Sequence, residues 1–228
     1  MAIAAPTRAL TLQASFPGDW SLVDLHNYLG GIPLARIRVF PPPGYATAND
    51  VLDIQEHEDR LYELTNGILV EKTVGWYESL LAGLVLTRLN VYLETHDVGL
   101  ALGADGLLQI LPGLVRIPDV SFMRWDRLPS SALPRRPIPA LVPDLVVEVL
   151  SEGNTSAEME AKLQTYFQAG VRLVWYINPS TRLANVYTSP TAMRTFDAHG
   201  VLDGGDVLPG FQLSLQHLFA TAERRKPS

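Results

Sequence analysis

The chain has no cysteine among its 228 residues. This absence excludes a disulfide framework, a thiolate zinc site and a cysteine nucleophile. No window approaches the roughly 20 consecutive apolar residues that span a bilayer, so no association with a membrane is predicted. The first twenty residues lack the basic segment and long apolar core of a secretory signal. We therefore expect a cytoplasmic protein.

Positive charge is also scarce. Lysine and arginine number 18 against 24 acidic residues, a formal net charge of -6. A general nucleic-acid binder is usually basic over its whole surface, so this balance argues weakly against one without excluding a local basic groove. The five histidines are scattered without ligand-like spacing, which argues against a histidine-based zinc site. Clustered carboxylates, by contrast, are what a divalent cation needs.

The composition is globular, with 47% hydrophobic residues and enough length for one sizeable domain. Residues 1–45 are predicted to be an N-terminal extension, with a short helix that ends at Gly30-Gly31 and a proline-rich connector. Residues 46–220 form the predicted domain, and 221–228 a charged tail. A helix capped by Thr47 or Asn49 opens the domain.

The rest of the domain alternates strand and helix patterns. Asn66-Gly67 predicts a hairpin with a type I′ turn, and apolar residues at helical spacing predict a long helix from Trp76 to about His96. Three strands are predicted over residues 99–125, a proline-rich loop over 126–143, a strand around Glu148 and a helix that ends at Gly170. Two strands around a turn at 178–181 follow, then one strand and a short helix. The order predicts an α/β (α+β) fold with helices on a mixed sheet.

One acid interrupts an apolar strand. In "DLVVEVLSEG" (144–153), Glu148 lies on the same face as Val146 and Leu150, whereas Val147 and Val149 point the other way. A carboxylate on a buried face is costly unless it is paired, hydrogen-bonded or bound to a metal. An internal ion pair with arginine or lysine is the plainest interpretation.

A second acid, Asp119, follows Pro118 in the strand-like stretch "VRIPDVSF". If the two strands are neighbours, Asp119 and Glu148 converge, and a divalent cation relieves their repulsion. A turn or cap role is the alternative for Asp119. Lys162 shares a helix face with Glu158 and Tyr166, either as a surface pair or above the two acids.

Three of the four tryptophans, Trp76, Trp125 and Trp175, are predicted to lie in the core or on a sheet face rather than to stack on bases. Ser151 follows the acidic strand, but no histidine stands in a recognisable partner position, so a serine hydrolase is not expected.

Five stretches in the same order carry a resemblance: "YELTNG", "GLVRIPDVSF", "PDLVVEVLS", "EMEAKLQTYFQAGVRLVWYINP" and "VYTS". They resemble the Uma2 family of bacterial endonuclease-like proteins, which belongs to the PD-(D/E)XK nuclease superfamily. The match runs from about residue 47 to about 215. It implies a restriction-endonuclease-like mixed sheet flanked by helices.

The resemblance also implies a site. Asp119 and Glu148 would bind Mg²⁺, or Mn²⁺ as a substitute, together with the backbone carbonyl of Val149. The superfamily lysine is absent because Leu150 stands in its place, and Lys162 would substitute from the next helix. Glu63, from the Tyr-Glu-Leu element, would be an outer acid.

Two departures accompany the match: no histidine opens the long helix, and Glu158 stands where the family usually has aspartate. The implied activity is Mg²⁺-dependent hydrolysis of DNA phosphodiester bonds, with a homodimer to cut both strands. Two alternatives stay open. One is a degenerate relative that binds nucleic acid or a protein without cutting, and the other is a scaffold in which Glu148 is merely ion-paired.

Overall fold

The structure is a computed structural model that describes residues 17, 19–129 and 133–224. Most of the stretch considered as a secretory signal, and residues 225–228 of the predicted tail, lie outside the described residues. Within the described residues no helix is long and apolar enough to cross a membrane.

Five α-helices and twelve β-strands follow one another along the described chain. The helices are α1 (Leu22–Tyr28), α2 (Ala48–Glu58), α3 (Trp76–Leu93), α4 (Ser156–Ala169) and α5 (Leu215–Ala222). The first six strands are β1 (Tyr62–Thr65), β2 (Ile68–Glu71), β3 (Gly99–Leu102), β4 (Leu108–Leu111), β5 (Leu114–Arg116) and β6 (Val120–Arg124). The remaining six are β7 (Leu145–Val149), β8 (Leu173–Asn178), β9 (Leu183–Tyr187), β10 (Met193–Phe196), β11 (Val201–Gly204) and β12 (Leu208–Ser214).

The strands form a six-stranded sheet, a four-stranded sheet and a separate hairpin. The larger sheet has the order β10-β9-β8-β7-β6-β3, and β7 and β8 are its parallel pair. The smaller sheet, β2-β1-β5-β4, is antiparallel throughout. Helix α4 is the crossover that joins the two parallel strands, as such a pair requires. The predicted α/β class with a mixed sheet and flanking helices is confirmed.

The central strand β7 is buried on both faces. Val147 and Val149 pack in a core that contains α3 and α5, whereas Val146 packs in a second core with α4. This arrangement confirms the predicted alternation and places Glu148 on the α4 side. Because β7 sits inside the sheet and is covered on both faces, its apolar run is nearly continuous.

Local sequence signals set the element ends that matter for the site. Asn66 and Gly67 have φ values of 49° and 82°, as the type I′ turn between β1 and β2 requires. The Thr155 hydroxyl accepts the Glu158 N–H and caps α4, which ends at Gly170 with a φ of 100°. These two helix ends set the bounds of α4, which carries Lys162 and Tyr166.

Three predictions were wrong in detail. Residues 99–125 hold four strands, because Pro118 cannot donate to a ladder and separates β5 from β6. Residues 193–214 form three strands where one was expected. These strands are partly exposed, and their alternation of apolar and polar residues is weak. Trp175 is buried as predicted, but Trp76 is 81% exposed and Trp125 is 42% exposed.

The described part of residues 1–45 packs on the domain. Leu25, Leu29 and Ile32 form a small apolar cluster with Ile68 and Val70 of β2. The Tyr28 hydroxyl accepts a hydrogen bond of 2.7 Å from the Asn66 side chain. The division into an extension, a domain and a tail stays a prediction.

Candidate active site

The candidate site lies where the two larger sheets meet. Glu63 comes from β1, Asp119 from the link between β5 and β6, and Glu148 from β7. Strands β6 and β7 are antiparallel with Val120 opposite Val147, so the next position places Asp119 opposite Glu148. The predicted convergence of the two acids is therefore present in the structure.

Asp119 is held from two directions. Its Oδ2 accepts the backbone N–H of Val149 at 2.7 Å, and its Oδ1 lies 2.9 Å from the Nζ of Lys72. Asp119 thus lies in a connection between two strands, as the turn interpretation predicts, but that interpretation does not account for its contacts. Its carboxylate reaches across to the end of the neighbouring strand.

Glu148 is 5% exposed and receives a hydrogen bond of 2.5 Å from the Tyr166 hydroxyl. Lys162 lies farther away, with its Nζ 3.9 Å from Glu148 Oε1. Burial raises the pKa of Glu148, and the negative charge of Asp119 adds to this, so that the pKa reaches about 7 despite Lys162. Glu148 therefore combines a short hydrogen bond from a neutral hydroxyl with a longer ion pair to Lys162.

Glu63 shows the opposite behaviour. Burial alone would raise its pKa, but Lys162 at 2.9 Å and Arg116 at 3.9 Å outweigh burial. The backbone N–H of Ile117 also donates to its Oε1 at 3.1 Å. The result is a pKa lowered to about 2. Glu63 is a permanent anion that holds Lys162 in place.

Two lysines serve the site, and the sequence alone pointed to only one. Lys72, directly after β2, contacts the carbonyl oxygens of Ile117 and Ala104 at 2.6 and 3.2 Å besides Asp119. These three acceptors match the three protons of its ammonium group. Lys162 makes one short contact, to Glu63, so it retains capacity for a further acceptor.

The predicted residues Glu63, Asp119, Glu148 and Lys162 are thus brought together, whereas Lys72, Arg116 and Tyr166 complete the cluster. Lys72 could have been noticed as a lone lysine that ends the apolar strand "ILVEK". Nothing in the sequence distinguished Arg116 from any other arginine at the end of a strand. Tyr166 was placed on the Lys162 face, but its contact with Glu148 depends on how α4 crosses the sheet.

The donor set fits a hard divalent cation. Asp119 and Glu148 supply carboxylate oxygens, which Mg²⁺ prefers. The Val149 N–H points toward β6. Its carbonyl also faces β6, because the N–H and C=O of one strand residue point to the same side of the strand. Continuing the register places Pro118 opposite Val149, and proline has no N–H to donate to that carbonyl. Among the described residues, no three His, Cys, Asp or Glu side chains form a metal-binding group.

A family model described as "Putative restriction endonuclease", named Uma2, matches residues 48–216. The chain belongs to the Uma2 family. Glu63, Lys72, Asp119, Glu148 and Lys162 all fall inside the Uma2 match, whereas α1 and the following turn lie outside it. No curated protein matches this chain.

Among solved structures, the fold is similar to that of a "putative nuclease belonging to DUF820" from Anabaena variabilis ATCC 29413. The TM-score is 0.64 at 18% sequence identity, over 72% of this chain and 92% of the other. At this identity the likeness shows a shared fold. The Uma2 match and this fold agree with the architecture expected from the sequence.

Proposed function

We propose that this Uma2 protein is a Mg²⁺-dependent endonuclease that hydrolyses phosphodiester bonds of DNA. The observation that carries the proposal is the meeting of Asp119 and Glu148 across two strands, with Lys162 beside them. Two like charges at a sheet junction are costly in a purely structural role. Opposing pKa shifts of Glu148 and Glu63 within one cluster are typical of functional sites.

Asp119, Glu148 and the Val149 carbonyl would hold the cation, with Mn²⁺ as a substitute for Mg²⁺. When bound, such an ion lowers the pKa of a coordinated water and polarises the scissile phosphate. Lys162 orients the attacking water and offsets the negative charge that develops on the phosphate. Glu63 keeps Lys162 charged and fixed, and Tyr166 orients Glu148.

The test is incubation of the purified protein with supercoiled plasmid DNA and Mg²⁺ or Mn²⁺. We expect nicked and linear products that disappear with a chelator and in Asp119→Ala or Glu148→Ala. Circular dichroism must show that both variants are folded. If either variant cleaves at the wild-type rate, the site assignment is wrong. Since cutting both strands of a duplex usually needs two active sites, we expect a homodimer, which light scattering measures.

A second candidate is a degenerate relative that binds nucleic acid or a protein partner without cutting. It is favoured by the closed contacts of Asp119, whose two oxygens are engaged by Lys72 and by the Val149 N–H. Calorimetric titration with Mn²⁺ separates the candidates. A site that vanishes in Asp119→Asn and Glu148→Gln supports the enzyme, whereas absence of any such site supports the binder.

A further inference from the structure

Arg36 lies in the segment that precedes the Uma2 match, yet it is 8% exposed and reaches toward the site. Its Nη1 and Nη2 donate to the two carboxylate oxygens of Glu158 at 2.9 and 2.6 Å. Nη1 also donates to the Gly153 carbonyl at 2.8 Å, and Nε donates to the Glu71 carbonyl at 2.9 Å. Four of the five guanidinium N–H groups therefore have acceptors.

The three partners of Arg36 lie on or beside three of the elements that carry or adjoin site residues. Glu71 is the last residue of β2 and immediately precedes Lys72. Gly153 lies in the loop that follows the end of β7, shortly after Val149. Glu158 lies on α4 one turn before Lys162, on the same helix face. One planar group thus connects β2, the end of β7 and α4.

The chain around Arg36 is built for this close contact. Gly30 has a φ of +76°, and a Cβ placed there would lie 2.5 Å from the Glu158 backbone nitrogen. The Gly30 carbonyl accepts the Thr155 hydroxyl at 2.6 Å, which ties the end of α1 to the cap of α4. The segment therefore meets the start of α4 through backbone contacts as well as through Arg36.

We propose that Arg36 is a positioning residue of the candidate site, whose guanidinium fixes β2, the loop after β7 and α4 so that Lys72 and Lys162 meet the acids. The contribution of Arg36 to catalysis rests on the proposed nuclease function. Its effect on the positions of the two lysines does not depend on that function. A lysine could not replace it, because one ammonium cannot reproduce a planar fork with three separate partners. The segment that precedes the Uma2 match then supports the site through Arg36.

The chain offers a matched control two residues away. Arg38 also forms a bidentate pair with a glutamate, at 2.8 and 2.7 Å to Glu58, and donates its Nε to the Phe40 carbonyl at 2.8 Å. This pair is open to solvent and joins the segment to α2, which carries no residue of the site. The Arg38 guanidinium also lies 5.6 Å from the centre of the Tyr62 ring, which packs in the core beside α2. Replacing Arg38 therefore removes the same chemistry from the same segment without removing a contact to a side chain of the site.

The first measurement is independent of cleavage. The chain has only three lysines, Lys72, Lys162 and Lys226, so selective labelling of lysine Cε gives three resonances in NMR. In Arg36→Gln and Arg36→Lys we expect the Lys72 and Lys162 signals to shift relative to those of the wild type. In Arg38→Gln neither of these two signals should move. Equal spectra for Arg36→Gln and the wild type would overturn the proposal, as would equal shifts in Arg38→Gln.

The second measurement is cleavage of plasmid DNA, with kcat and KM determined separately. A displacement of about 1 Å at the lysines should lower kcat by roughly 10- to 100-fold and leave KM nearly unchanged. Phe219→Leu, in the opposite core, controls for lost stability, and it should cut at the wild-type rate at a temperature where it is folded. Arg36→Lys keeps the charge and serves if Arg36→Gln does not fold.

The outcomes separate the two proposals. If the wild type does not cut DNA but the lysine signals still respond to Arg36 and not to Arg38, the nuclease assignment fails and the positioning role stands. If the wild type cuts and Arg36→Gln cuts with an unchanged kcat, the positioning role fails alone. If Phe219→Leu loses as much kcat as Arg36→Gln, the effect of Arg36 is only on stability, and the proposal is overturned.

Discussion

Two glutamates on the α4 side of the large sheet are almost equally hidden from solvent, yet their pKa values shift in opposite directions. Glu148 is 5% exposed and Glu158 is 7% exposed. Burial raises the pKa of both carboxyls, but at Glu158 the hydrogen-bonded Arg36 and the nearby charge of Lys162 together outweigh burial and lower the pKa. At Glu148 burial outweighs Lys162, the charge of Asp119 adds to burial, and the pKa rises to about 7. Lys162 acts on both acids, so what distinguishes them is the cation that is hydrogen-bonded directly to Glu158.

The difference separates two uses of a buried acid. Glu158 has a bidentate cation and a further donor, Asn154, whose side chain lies 3.2 Å from its Oε2. Such a satisfied pair holds elements together and has little left to offer a ligand. Glu148 has one neutral donor, a lysine at 3.9 Å and a like charge opposite. An acid left under repulsion is one that a cation would stabilise.

Glu148→Gln gives the sharpest contrast in activity. We expect cleavage of plasmid DNA in Mg²⁺ to fall by at least ~10³-fold, since a lost ligand removes several kcal/mol of transition-state stabilisation. The unfolding midpoint should not fall, because the amide removes a charge repelled by Asp119. Glu148→Gln with normal cleavage, or with a strongly lowered midpoint, would place Glu148 in the same class as Glu158.

Lys162→Met and Lys72→Met compare the two lysines by their effects on kcat and on the free energy of unfolding. Lys162→Met should reduce kcat by about 10²- to 10³-fold, because it removes a donor aimed at developing charge. Lys72→Met leaves Asp119 and two carbonyls without their donor, and Lys162→Met leaves the buried Glu63 without its nearest cation, so we expect each variant to lose about 3–5 kcal/mol in the free energy of unfolding. Chemical denaturation measures this loss, and single-turnover cleavage under conditions where both variants are folded separates the two lysines. A loss of rate in Lys72→Met but not in Lys162→Met would make Lys72 the catalytic lysine.

The sequence predicted the parts of this contrast that depend on chain-local rules. Strand alternation placed Glu148 opposite in orientation to Val147, and helix spacing placed Lys162 and Tyr166 together. The sequence did not show that β6 and β7 are neighbours, and it is their register that brings Asp119 opposite Glu148. It follows from the packing of two strands that are 20 residues apart in the chain.

What the sequence could not predict is the partner of each buried charge. Glu158 pairs with Arg36, 122 residues away, and Lys72 pairs with Asp119 across the meeting of two sheets. Arginine and glutamate are ordinary in a helix cap or a loop, so neither residue stood out. Glu158 was noted only as a change from the usual family aspartate. Long-range ion pairs have no period, and periodicity is what a single sequence offers.

Glu158→Gln tests the structural side of the comparison. The amide leaves the Arg36 guanidinium without its carboxylate, and we expect a loss of about 1–3 kcal/mol in the free energy of unfolding. Stability should also respond differently to acid. Because the pKa of Glu158 is lowered in the folded state, its contribution is present above the ordinary value of 4.5 and is lost as pH falls below it.

The measurement for Glu158 is denaturant unfolding at a series of pH values between neutrality and about pH 3. The difference in stability between the wild type and Glu158→Gln should be largest at neutral pH and shrink below pH 4.5. A difference that stays constant with pH would mean that the charge of Glu158 contributes nothing and that only its shape matters.

Glu58→Gln should have the smallest effect, and it shows why burial is still necessary. Glu58 makes the same bidentate pair with arginine, through Arg38, and the pKa of its carboxyl is lowered by that hydrogen bond. The pair is open to solvent, where water and salt replace most of what it provides. We expect an unfolding midpoint and a cleavage rate equal to those of the wild type. If Glu58→Gln were as destabilising as Glu158→Gln, the pair with arginine alone would explain the effect of both glutamates. Burial of the pair would then make no difference to its contribution to stability.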